Sequence, residues 1–463
     1  MSSIRGKTER GRFPRMPTTV GWLLATCVHL GALLVALTGS APAAELAPTR
    51  FVMPNGLTVL VIEQHALPIV QIQALIKAGS AQDPPEKAGL ANLVASLLDE
   101  GTESRSAKQI ADEIEFVGGR LTVNATEDYT RASARVLTKD VTLGFELLAD
   151  VLLHPTFPEP EIERVRRQIL GEIQSEKEDP GLVAAKAFYP LVFADHPYGW
   201  PVNGTEESVP KITRSDIQQF YAREFLPNQT ILAVVGDVTV KQARDYLPTY
   251  FGAWKRGLDR ASSAVAPSPV EKPMTRLIDK DVTQASIILG HVGISRSNPD
   301  FYAVAVMNYI LGSGGFSSRL MDSIRGRQGL AYGVYSSFEA NRMPGAFLVS
   351  LQTRNEMANQ AIAGVMAELN GIRDAPVTDQ ELADAKAYLM GSFPLRLDTT
   401  AKLALLSCLV ELHGLGLDYF TQYPEWIKRV TKADVQRVAK QYLHPDRYVL
   451  VLVGNLDEAK IGQ

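Results

Sequence analysis

The residues that could do chemistry are thinly spread. The seven histidines, at 29, 65, 154, 196, 291, 413 and 444, include no pair four residues apart. Two imidazoles one helical turn apart would aim at a single metal ion, so no helical two-histidine site can be written. Gly89 to Thr102 reads GLANLVASLLDEGT, with Leu90, Leu93, Val94, Leu97 and Leu98 as the stripe of an apolar helix. Asn92 and Ser96 stand four apart on it, but both are neutral, and zinc sites use His, Cys and carboxylates. Ala95 has no side-chain atom that could accept a proton. Glu172 falls on a second amphipathic helix, expected over 161–176, with Ile162, Val165, Ile169 and Ile173 on one stripe. Farther on, Leu311 to Phe338 reads LGSGGFSSRLMDSIRGRQGLAYGVYSSF: a glycine-rich turn, a helix and the entry to a strand. By residue type alone, Arg325 there is a surface cation and Tyr332 a core or interface ring. Gly312, Gly314 and Gly315 lack the Lys-Ser/Thr of a phosphate loop and the spacing of a dinucleotide fingerprint.

The elements that must position these residues come from a duplication. Residues 212–238, ITRSDIQQFYAREFLPNQTILAVVGDV, and 430–456, VTKADVQRVAKQYLHPDRYVLVLVGNL, align without a gap. Seven of the 27 positions are identical and most others are conservative, which favours one ancestor over chance. Each copy opens on a capping pattern, Thr213/Asp216 or Thr431/Asp434, and runs through a helix and a Pro turn into a strand ending Val-Gly. Around them, Phe51 to Glu63 reads as a hairpin turning at Asn55-Gly56, and Val70 to Ala78 as a strand. Ser106 to Val117 reads as a capped helix, Leu121 to Val136 as a returning strand, and the helix from Thr378/Glu381 runs to about Met390. The mixed order predicts an α+β chain of two homologous halves, each of mixed or antiparallel sheets with helices packed on one face. The expected boundaries are 45–257 and 274–463, joined by a Ser/Ala/Pro-rich linker, 258–273.

On these motifs the chain resembles the insulinase (pitrilysin) family of metallopeptidases, whose signature is H-x-x-E-H. The frame around the signature is kept, while its three functional positions have become Asn92, Ala95 and Ser96. The resemblance places Glu172 on the third zinc ligand. Two readings of it stand: a relic of the old site, or an exposed helix carboxylate. It also makes Arg325 and Tyr332 the pair that reaches across the chamber to a substrate's scissile carbonyl. A fainter likeness, Gly118-Gly119 followed by Asn124-Ala125-Thr126, matches a strand whose edge pairs with substrate backbone. One site erased and one kept implies the non-catalytic, substrate-binding subunit of a two-chain enzyme. The fold would be a processing-peptidase-like clamshell half. Zinc would be held by a homologous partner with an intact motif and none by this chain. A non-enzymatic scaffold is the alternative, and a hydrolase built on Glu172 the remote third.

The first 44 residues read as a secretory signal. Arg5, Lys7, Arg10, Arg12 and Arg15 precede an apolar run from Val20 to Leu37, and Ala41 and Ala43 form an A-x-A exit. The expected location is outside the cytoplasm, in a bacterial periplasm, with no membrane attachment after cleavage. With a formal net charge of -4 and no Lys/Arg runs, nothing marks the chain as a nucleic-acid binder, and no nucleic-acid partner is expected. Cys408 is the one cysteine beyond the signal and sits in an apolar run, so it reads as a buried thiol.

Overall fold

The computed structural model describes residues 47–258 and 265–461. The expected signal peptide, and residues 259–264 of the expected linker, lie outside the described residues. Eleven strands are described: β1 Thr49–Val52, β2 Thr58–Glu63, β3 Ile69–Ile76, β4 Arg120–Ala125, β5 Thr130–Leu137, β6 Thr230–Gly236, β7 Met274–Asp279, β8 Gln284–Val292, β9 Ala331–Ala340, β10 Pro344–Arg354 and β11 Val449–Gly454.

They form two mixed sheets, ordered β1-β2-β6-β3-β5-β4 and β7-β11-β8-β10-β9. The second repeats the first without β1. The β2/β6 pair is parallel and so is β7/β11, and the remaining neighbours are antiparallel in both. The repeated segments become the Arg214–Glu224 helix with β6, and the Lys432–Tyr442 helix with β11. Both capping boxes close: Asp216 and Asp434 accept the N–H of Thr213 and Thr431 at 2.8 and 2.9 Å. The mixed two-sheet architecture is the one expected. One expectation is corrected: the segment 121–136 is a hairpin of β4 and β5. Its chain reverses at Thr126, whose N–H donates to Tyr129 O at 2.8 Å.

Each sheet buries both faces. On the first, Val70, Ile72, Ala74, Leu232 and Val234 join the core beneath the helices of the same half. The alternate side chains, among them Gln73, Ile231 and Ala233, are also buried. Their cover is the Thr400–Leu412 helix of the other half. Its Cys408 is fully buried, with Sγ 4.0 Å from Ile231 O, and burial pushes the thiol up to about 12. The exchange is mutual. Ala184, Phe188, Val192 and Phe193, on the Pro180–Phe193 helix of the first half, form one core with Ile288, Val449, Val451 and Val453 of the second sheet. The helices thus lie on both faces of each sheet, a second correction to the expectation of one face, because a strand with apolar side chains on both sides must be covered twice. Arg50 of β1 adds a two-pronged ion pair to Glu411 beside the crossing.

Candidate functional site

The Leu90–Leu97 helix begins from a tight entry. Gly89 has φ +96°, and a Cβ there would lie 2.9 Å from Gly204 Cα, so a larger residue would have to move backbone. The Asp83 carboxylate accepts the N–H groups of Gly89 and Ala91, each at 2.9 Å, and satisfies donors that a helix start leaves over. Burial pushes this carboxyl up to about 7, against the hydrogen bonds that lower it.

On this well-formed helix Asn92 and Ser96 are half-buried and Ala95 is fully buried. The helix packs against β4 and against the Glu159–Glu176 helix that carries Glu172. Glu172 is exposed, and its Oε1 accepts from Gln168 Nε2 at 3.0 Å within its own helix, the surroundings of a solvated carboxylate. An amide, a methyl and a hydroxyl do not fit zinc as ligands and base. Among the described residues no group of three His, Cys, Asp or Glu stands close enough together to hold a metal ion. Beside the helix, β4 is the outer strand of its sheet and pairs only with β5, so one side of its backbone is an open edge.

The Leu311–Phe338 segment is built differently from the ordinary helix that its pattern suggests. The Phe301–Asn308 helix continues into a π-helical turn, Tyr309–Ser313, and a second π-helical stretch, Met321–Arg327, follows. The wide i to i+5 bonds are those of Gly314 N–H to Tyr309 O at 3.0 Å and Gln328 N–H to Ser323 O at 3.1 Å. The first turn is clasped to β9. Asn308 Nδ2 donates to Ser336 O at 3.1 Å, and Ser336 Oγ donates to Asn308 Oδ1 at 2.6 Å. A Cβ on Gly312 would sit 2.4 Å from Ser336 Oγ, so this position has no room for a side chain.

Three arginines on this segment have different fates. Arg319 is bound by Glu381 through two bonds, of 2.6 and 3.0 Å. Burial raises the Glu381 carboxyl, but Arg319 and the Thr378 N–H bring it down to about 2. Arg327 pairs with Asp322 and Glu368. Arg325 has no carboxylate partner among the described residues. Its guanidinium carbon lies over two rings instead, 4.7 Å from the centroid of Tyr332 and 4.6 Å from that of Phe316. The rings are 82% and 76% exposed, so the group faces solvent rather than a core. The structure thus brings Arg325 and Tyr332 together. Phe316, and the Arg319–Glu381 clamp that fixes the segment to the Asp379–Gly391 helix, were not singled out from the sequence. Phe316 stood in the quoted motif, but nothing in a linear pattern shows which cation a ring will meet.

Residues 58–206 match the model of "Insulinase (Peptidase family M16)" and residues 211–389 that of "Peptidase M16 inactive domain". An uncharacterized zinc protease of Mycobacterium tuberculosis is 30% identical over 419 residues, covering 89% of this chain and 94% of the relative. A non-peptidase homolog of Helicobacter pylori is 26% identical, covering 87% and 93%. The crystal structure of a peptidase M16 inactive domain from Pseudomonas fluorescens superposes with a TM-score of 0.84 at 29% identity, covering 88% of this chain and 98% of that one. A protease from Helicobacter pylori, 21% identical with a TM-score of 0.83 and cover of 88% and 99%, shares the fold. With Asn92, Ala95 and Ser96 where ligands and base would stand, the chain belongs to the insulinase family of peptidases, M16, as a non-catalytic member.

Proposed function

We propose that this chain is the substrate-binding subunit of a two-chain zinc peptidase that degrades or processes peptides. The observation that carries the reading is Arg325, a cation without a carboxylate, held among exposed rings while its neighbours Arg319 and Arg327 are paired. A guanidinium and a phenol with their donors free can hydrogen-bond a peptide carbonyl and stabilise negative charge as it develops on that oxygen. The open edge of β4 suits an extended peptide backbone, which would add as a further strand. Zinc and the proton acceptor belong to a homologous partner with an intact motif. Export to a periplasm, where such a pair would meet unfolded peptides, goes with this reading.

The test is to mix the purified chain with an M16 homologue of the same host that carries H-x-x-E-H, and to follow both co-elution and cleavage of a fluorogenic peptide. Cleavage is expected only from the mixture. Arg325→Ala and Tyr332→Phe are expected to lower kcat/KM by about a hundredfold, in line with removal of one oxyanion donor. Undiminished cleavage with both variants would leave a purely structural subunit, the reading that the Helicobacter pylori homolog's non-peptidase description favours.

A further inference from the structure

We infer that Phe316 is the positioning residue for Arg325, holding the guanidinium by its face so that its N–H edge stays free for substrate. The inference rests on the proposed function for its purpose, and on the geometry of the turn for its substance. A carboxylate would also fix an arginine, but it would consume the in-plane donors that must meet the substrate, as Glu381 does with two of those of Arg319. A ring face attracts the cation through its π-cloud and takes no N–H at all. Phe316 lies over Arg325 at 4.6 Å, as close as Tyr332 does at 4.7 Å, yet it has no polar atom of its own to offer a substrate.

The turn is made to put the ring there. Gly315 has φ +58°, in the left-handed region, and leads directly into Phe316 through the tight turn Gly315–Ser317. The hydroxyls of Ser317 and Ser318 donate back to Gly314 O and Gly315 O at 2.8 and 2.7 Å and close the turn on itself. A Cβ on Gly315 would meet nothing within 4 Å. The glycine is therefore required by backbone conformation and not by crowding, which separates aim from packing.

The experiment uses the full chain with Phe316→Ala, Phe316→Leu, Phe316→Tyr and Gly315→Ala. The first readout is the ring-current shift of the Arg325 side-chain NMR signals in arginine-labelled chain alone, assigned with Arg325→Lys. The second is kcat and KM of the mixture with the zinc-bearing homologue. Phe316→Ala and Phe316→Leu are expected to reduce the shift and lower kcat/KM about fivefold or more, mainly through kcat. Phe316→Tyr should restore both, and Gly315→Ala should resemble Phe316→Ala while retaining the ring. An Arg325 signal indifferent to Phe316→Ala overturns the inference, whatever the mixture does. Loss of cleavage with Arg325→Ala but none with Phe316→Ala overturns it as well and leaves the proposed function standing. A reduced shift in a chain that never supports cleavage upholds the positioning and removes the proposed function.

Discussion

Single residues decide what this chain can and cannot do. At position 95 a methyl group stands where a proton acceptor would be needed, and no movement of the helix supplies one. At position 325 the charge is present and, among the described residues, has no carboxylate partner. Asp83 is a third instructive residue, because it buries a carboxyl in order to start the helix that carries Asn92, Ala95 and Ser96. The folded chain keeps that proton to about pH 7, while an unfolded aspartate releases it near pH 4. Between those values the native state binds more protons than the unfolded one, so stability falls as pH rises, by at most about 1.4 kcal/mol per pH unit. Asp83→Asn is expected to remove that part of the slope. Urea titrations of both chains at pH 4, 5.5 and 7 check it, and parallel pH profiles would refute it. Residue identity made membership of the family, as a non-catalytic chain, legible from sequence. The rings around Arg325 were not, since a cation–π contact depends on where a left-handed glycine turns the chain.

At the scale of elements, capping boxes and turn glycines were the most readable signals, because their hydrogen bonds are local. Ser106 with Gln109, Thr213 with Asp216, Thr378 with Glu381 and Thr431 with Asp434 all start helices where the pattern put them. The hairpin of β4 and β5 was read as one strand, because both arms carry β-branched residues and the reversal at Thr126 has no glycine or proline. The π-helical turns around the glycine-rich segment were also hidden, since one extra residue per turn leaves the apolar pattern almost unchanged. The crossed helices were unreadable for a different reason. The apolar face of Thr400–Leu412 announces burial but does not name the sheet that covers it. Phe188 tests the other crossing. It is fully buried in the second sheet's core, so Phe188→Ala is expected to cost about 3–5 kcal/mol. A loss of unfolding free energy in urea titrations of less than about 1 kcal/mol would mean the helix is not part of that core.

For the whole molecule, the duplication sets the architecture and the crossing sets the mechanics. Two copies of one α+β unit would be free to hinge if each closed its own core. Here each contributes the cover of the other's sheet, so separating them would expose Phe188, Val192, Leu403 and Cys408 together with the strands beneath. Exposure of that much apolar surface couples the two units thermodynamically. Calorimetry of the full chain is expected to give a single transition with equal calorimetric and van't Hoff enthalpies. Two resolved transitions would show that the crossing does not couple them. In the two-chain enzyme we propose, any opening that admits a peptide would then be a movement between the two chains, not one within this chain.

The reciprocal exchange of the Pro180–Phe193 and Thr400–Leu412 helices also determines how the protein would respond to being cut. A protease that severed the tether between the units would leave two fragments, each clasping a piece of the other. The nicked molecule would still elute as one particle and hold its shape until denaturant loosened the grip.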